Sequence, residues 1–169
     1  MYLPKAPDLR AAVMPLADGS RGVFQTIRVM RSLVTQFRVD PVIRGVAVTL
    51  INLVPEKDTL GEIRTLFEFV RDRVRYTRDV LDVETLSTPV KTLELAAGDC
   101  DDKSVLLATL LEAVGIPTRF VVTGYAQPGV YEHVYVLAML SDGSFLPLDA
   151  SEPQPPGWEP PGAVAYHAE

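Results

Sequence analysis

Gly98-Asp99-Cys100-Asp101-Asp102-Lys103-Ser104 runs straight into Val105-Leu106-Leu107-Ala108, with Leu110, Leu111 and Val114 following and Gly115 and Pro117 closing the stretch. Apolar residues cover most of its circumference, so the pattern predicts a helix buried on nearly every side and stopped by its terminal glycine and proline. Such a helix is central, and the rest of the chain must pack around it. Its N-terminus carries Cys100, the only cysteine of the chain.

On the N-terminal side, Val23, Ile27, Met30, Val34 and Phe37 recur at spacings of four and three, one apolar helical face that Ser20 can cap. Asp40-Pro41 then offers an N-cap with proline at the first helical position, ahead of Ile43, Ala47, Leu50 and Val54. Thr59 with Glu62 forms a capping-box pattern before a third stripe of Ile63, Leu66, Phe67, Val70 and Val74. From Tyr76 to Ala97 the pattern weakens into an irregular connection with one helical turn at Thr92 to Ala96.

On the C-terminal side, Thr118 to Tyr125, Tyr131 to Leu140 and Ser144 to Asp149 are rich in β-branched and aromatic residues and are separated by turn signals, so they read as an antiparallel meander. Pro153, Pro155, Pro156, Pro160 and Pro161 cannot join a sheet interior, and residues 152–169 read as an extended arm. Trp158 within it is large enough to need a docking surface, on the body of the chain or on a partner. The expected organisation is a single α+β domain over 1–151, helical over 20–75 with the site-bearing core over 76–151, followed by the proline-rich arm.

Composition sets the class. The chain has 169 residues, 47% hydrophobic and 22% charged, enough to bury a core without disulfides. Lys and Arg number 16 against 22 Asp and Glu, a net charge of −6 that gives no footprint for nucleic acid or an anionic membrane. Met1 to Pro15 lacks the pattern of a signal peptide, and no apolar run reaches the roughly 18 residues of a bilayer span. The expected location is cytoplasmic, or virion-associated for a phage-borne chain.

A thiol attacks as thiolate, and a helix N-terminus favours that charge while leaving the Cys100 N–H free to bind a developing oxyanion. Asp99, Asp101 and Asp102 oppose the thiolate, so a base is required. Of the two histidines, His133 lies in the second predicted strand and His167 in the proline-rich tail, where it reads as a solvated residue. His133 is the candidate base, and Asp149, ending the next strand, is the candidate group to orient it. Turn length decides whether they meet. A two-residue Asp142-Gly143 turn sets Asp149 across from Val136, on the face opposite His133; a three-residue Ser141-Asp142-Gly143 loop sets it across from Tyr135 and diagonal to His133.

These blocks, with Gly115-Ile116-Pro117-Thr118-Arg119-Phe120, Glu132-His133-Val134-Tyr135 and Leu148-Asp149-Ala150-Ser151, resemble the transglutaminase-like cysteine protease superfamily over roughly Arg75 to Ser151. Arg75-Tyr76 and Asp79 ahead of the cysteine belong to the resemblance, which is nearest to the small bacterial and phage members. It implies a papain-like fold, with Cys100 as nucleophile, His133 as general base and Asp149 as its orienter, acting on a peptide or protein substrate. Peptidase or amidase chemistry is the first expectation. A non-catalytic structural or assembly module of a phage particle, and a transamidase, are the alternatives; Asp101 stands where cross-linking members carry an aromatic residue. Tyr76 and Thr88 are polar residues upstream that could complete the oxyanion hole, and neither is assigned to the site. No cofactor is expected. The three aspartates read as helix caps more readily than as a cation site, and one thiol with one nearby histidine is too few for structural zinc. Tyr131 and Tyr135 share a strand face with His133, and the arm could receive a protein partner.

Overall fold

The computed structural model describes residues 17–78 and 85–169; Met1 to Pro15, Asp79 and part of the connection after Tyr76 lie outside the described residues. The chain forms α1 (Ser20–Phe37), α2 (Pro41–Ile51), α3 (Thr59–Arg73), β1 (Arg75–Tyr76), α4 (Pro89–Leu95), β2 (Ala97–Gly98) and α5 (Cys100–Ala113). β3 (Thr118–Gly124), β4 (His133–Met139), β5 (Phe145–Leu148) and β6 (Ala165–Ala168) follow. The α+β class and the placing of the main meander after the helices are those expected from the sequence; the two-residue strands β1 and β2, which fall between helices, are not.

Local chemistry sets the helix starts. Asp40 accepts the N–H groups of Val42 and Ile43 at 2.8 and 3.3 Å, with Pro41 at the first helical position of α2. Asp58, rather than Thr59, caps α3 by accepting the Gly61 N–H at 2.9 Å, since its shorter reach to the first-turn donors leaves Thr59 inside the helix. Ser20 is likewise the first residue of α1, and Gly19 precedes it at φ +62° without a side-chain cap. Thr88 caps α4, which begins three residues ahead of the expected turn because Pro89 is preset for a first helical position.

α5 is the axis of the core. Val105, Leu106, Leu107, Leu110 and Leu111 are wholly buried among Met30 and Val34 of α1, Ile43 of α2, Phe67 of α3 and the sheet face of Phe120, Val122, Val134, Val136 and Leu148. Each such side chain stabilises the fold by about 1.5–3 kcal/mol, so no other helix could be removed from the centre at greater cost. The opposite sheet face carries a smaller cluster of Val121, Tyr135 and Leu137, with Phe145 against it.

The main sheet is antiparallel in the order β5-β4-β3-β6. Between β4 and β5 the register pairs Val136 with Leu148 and Met139 with Phe145, and the Leu140 N–H donates to the Ser144 carbonyl at 2.8 Å. Residues 141–143 are therefore a three-residue loop, with Gly143 at φ +84°, the left-handed conformation that closes it. β1 and β2 form a separate parallel pair, Tyr76 beside Gly98.

The C-terminal segment departs from a free arm. Its prolines keep 153–161 out of the ladder, and the Gly157 N–H donates to the Pro147 carbonyl at 2.8 Å on the outer edge of β5. Beyond Pro161 the chain is free of proline, and Ala165–Ala168 pairs with β3 as an edge strand, at the second edge that a meander of three strands leaves open. His167 is thereby held against the Phe24 ring at 4.8 Å, half-buried, and Trp158 is half-buried rather than solvated. Tyr135 is buried and its hydroxyl donates to Glu159, while Tyr131 packs at the core margin against Phe24.

Two glycines of the meander should respond differently to alanine. A Cβ on Gly124 would fall 1.6 Å from the Val130 carbonyl oxygen, so the loop leading into His133 would have to move, whereas Gly143 has open space and only its positive φ to lose. Gly124→Ala should cost about 3 kcal/mol and Gly143→Ala about 1 kcal/mol in urea unfolding. Equal midpoints for the two variants would contradict this account.

Candidate active site

Cys100 is the first residue of α5, half-buried, and Asp99 before it caps the helix by accepting the Asp102 N–H at 3.0 Å. Its N–H is among the first-turn donors that no helix carbonyl can reach. The sulfur lies against β4, where the Val134 N–H is directed at it and favours the thiolate. One turn on, the Ser104 hydroxyl donates to the Val134 carbonyl at 3.2 Å. Val134 faces the β5 side of its strand, and the ladder to β5 has already ended at Leu148, so the helix occupies the edge that β5 vacates. The N-terminal turn of α5 is thus docked on Val134, the strand residue that follows His133.

His133 opens β4, and its Nε2 lies 2.7 Å from Asp149 Oδ2. The Asp149 side chain is 1% exposed, and its other oxygen accepts the Ser151 N–H at 3.0 Å. The three-residue loop carries the register that places Asp149 across from Tyr135, diagonal to His133, so the side chains meet on one face. With Nε2 on the carboxylate, Nδ1 is the nitrogen left for a proton from elsewhere.

Burial pushes the Cys100 thiol well above its ordinary value, and the charges of Asp101 and Asp99 push it further. Both effects favour the thiol over the thiolate. Asp102 is engaged elsewhere: it is buried, and its Oδ1 accepts the Ser87 N–H at 2.7 Å, tying the segment before α4 to the cysteine helix. Among the described residues no group of three or more His, Cys, Asp or Glu side chains is arranged to hold a metal ion. Thr88 is occupied as the α4 cap, whereas Tyr76 stands near Cys100, its ionisation held back first by burial and then by its neighbours Cys100 and Asp99.

Lys103 is the residue that reading the sequence did not single out. It is 2% exposed, and its Nζ donates to the Val74 carbonyl at 2.7 Å and lies 3.4 Å from that of Arg71, at the carboxyl end of α3. Burial lowers its pKa to about 8, against the opposing pull of Asp149 and Asp72. A lysine inside an otherwise apolar helix was the signal: at that position it must be paired.

A cysteine on a central helix beside a His–Asp pair on an antiparallel sheet defines a papain-like α+β protein. Residues 50–150 match the family model of the transglutaminase-like superfamily, and the chain belongs to that superfamily. It is 32% identical over 117 residues to the bassianolide nonribosomal cyclodepsipeptide synthetase of Beauveria bassiana, a match that covers 62% of this chain and 4% of that protein. Among solved structures, it resembles a candidate protease of Parabacteroides distasonis (TM-score 0.62, 13% identity, 82% of this chain and 27% of that one). A candidate cysteine protease of Cytophaga hutchinsonii (0.56, 14%, 83% and 55%) shares the fold. So does calcium-bound LapG of Legionella pneumophila (0.52, 19%, 76% and 75%). No helix among the described residues is long and apolar enough to cross a membrane.

Asp101→Asn removes a charge that raises the thiol pKa, so the thiolate fraction at a given pH below that value should grow. Iodoacetamide alkylation of Cys100 at neutral pH should quicken by roughly fivefold, with the whole pH–rate profile moving to lower pH; an unmoved profile contradicts it. For Lys103, the folded value near 8 lies below the ordinary 10.5, so the unfolded chain binds more protons between the two. This group therefore adds stability as pH rises through that window. The urea midpoint of the parent protein should gain on that of Lys103→Met between the two values, and a constant difference would refute the assignment.

Proposed function

We propose that this chain is a thiol hydrolase that cleaves an amide or peptide bond of a peptide or protein substrate through an acyl-enzyme on Cys100. The contact that carries the reading is the 2.7 Å pair between His133 Nε2 and the buried Asp149 carboxylate, on the strand to which Cys100 is docked. A surface histidine would gain little from such a partner; a base that must become imidazolium during reaction gains its charge balance and its tautomer.

The chemistry follows from the protonation states. Because the resting thiol is protonated, Sγ attacks the substrate carbonyl as His133 Nδ1 takes its proton, and the carbonyl electron pair moves to oxygen. The Cys100 N–H at the α5 terminus donates to that oxyanion. Collapse breaks the C–N bond, and the imidazolium returns its proton to the leaving amine. Water then attacks the thioester with His133 as base, releasing the acid and the thiol. Asp149 accepts Nε2–H throughout and keeps the ring oriented.

Incubation with a library of electrophilic peptides should label Cys100 and no other residue, as read by mass spectrometry. Asp149→Asn keeps the shape and removes the charge, so turnover of a peptide found in this way should drop by about 10³–10⁴ with a stability change of no more than about 1 kcal/mol. Undiminished turnover would remove Asp149 from the site. Failure of every peptide to label Cys100 would favour the assembly-module reading.

A further inference from the structure

A cleft of about 370 Å³ is bounded by the carboxyl end of α3, β1 and residues 150–153. Its floor, Ala150 and Ser151, follows Asp149 directly in the chain, and Tyr76 on its far wall stands within electrostatic reach of Cys100. The cleft thus borders the segments that carry two of the candidate site residues: Ala150 follows Asp149, and Tyr76 pairs with Gly98, two residues before Cys100.

In a chain of net charge −6, the lining of this cleft is cationic. Two of its cations are committed. Arg71 is paired with Asp72 at 2.7 Å, donates to the Gln154 carbonyl at 3.1 Å and lies over the Phe67 ring, and Lys103 caps α3. Arg73 and Arg75 are exposed and have no ion-pair partner among the described residues. Glu152 is the remaining rim carboxylate, since Asp72 is taken by Arg71. Val74, Ala150 and Pro153 give the same cleft apolar wall, which suits a peptide backbone better than a free inorganic anion.

We propose that Arg73 and Arg75 form a carboxylate subsite in this cleft, so that the substrate is a peptide with an acidic side chain beside the bond that is cleaved. The inference rests on the thiol-hydrolase reading and adds the substrate class to it. Guanidinium groups take a carboxylate in paired, directional hydrogen bonds, so the subsite orients the chain as well as attracting it.

The test uses the full chain carrying Cys100→Ser, which binds without turnover. A fluorescein-labelled peptide of alternating alanine and glutamate, and its glutamine counterpart, are titrated by anisotropy. The glutamate peptide should bind about fivefold more tightly, and the preference should shrink between about 50 and 300 mM salt. Arg73→Gln with Arg75→Gln should abolish the preference, and Glu152→Gln should enlarge it. All three positions are exposed, so the fold is retained. Equal binding of the two peptides, no binding of either, or a preference that survives the arginine double variant would each overturn the subsite. Electrophilic peptide labelling of Cys100 in the protein that keeps its thiol separates the two readings: labelling without acidic preference removes the subsite alone, and absent labelling removes the hydrolase.

Discussion

The main chain of Val134 is the joint on which the site depends. Its carbonyl accepts from Ser104 and its N–H points at the Cys100 sulfur, so successive turns of α5 take the place of a missing strand beside β4. Strand edges left bare inside a protein are costly, because each unpaired backbone group forfeits its hydrogen bond to water. Here that cost is offset by a helix that brings Cys100 along with it. The early end of β5 has a second consequence, since the chain leaving the ladder at Leu148 delivers Asp149 to the histidine on the neighbouring strand. One termination event therefore positions the cysteine and the carboxylate alike.

Around this joint, negative charge is tolerated where it does structural work. Asp99 holds the first turn of α5 at the price of raising the thiol beside it, and Asp102 reaches back to Ser87. In the proposed reaction this favours a neutral thiol that depends on its base, closer in logic to a serine hydrolase than to a preformed thiolate–imidazolium pair. Lys103 brings positive charge beneath the same site. Its ammonium satisfies carbonyls at the end of α3 where the helix dipole is negative, and it faces Asp149, so helix capping and charge balance of the buried carboxylate are met by one side chain.

The C-terminal segment finishes the sheet on both sides. Gly157 bonds the outer edge of β5 through Pro147, whose ring lacks a donor there, and β6 covers the free edge of β3. Glu159 reaches the buried Tyr135 hydroxyl, adjoining the His133 ring, which stacks on Tyr135 with centroids 6.3 Å apart. The edges of β3 and β5 are covered by these contacts within the molecule, and the short β6 becomes the outer strand.

Periodicity and cap chemistry alone determined the helices, because spacings of three and four with Asp40-Pro41 or Gly115 at the ends admit few other local structures. The same holds for the α5 terminus as the place of the thiol. Strand identity was legible in the β-branched runs, and the loop Ser141-Asp142-Gly143 limited the register to two choices. Tertiary structure alone decided between them, since the left-handed Gly143 is favoured only when the whole apolar face of β5 lands on α5. It also decided the fate of residues 165–168, whose proline-free run has no periodic signal of its own and becomes a strand because β3 offers an open edge. Lys103 is the same case in the core: its charge is visible in the sequence, but its partners come from residues 29 and 32 positions upstream, brought near only when α3 packs on α5.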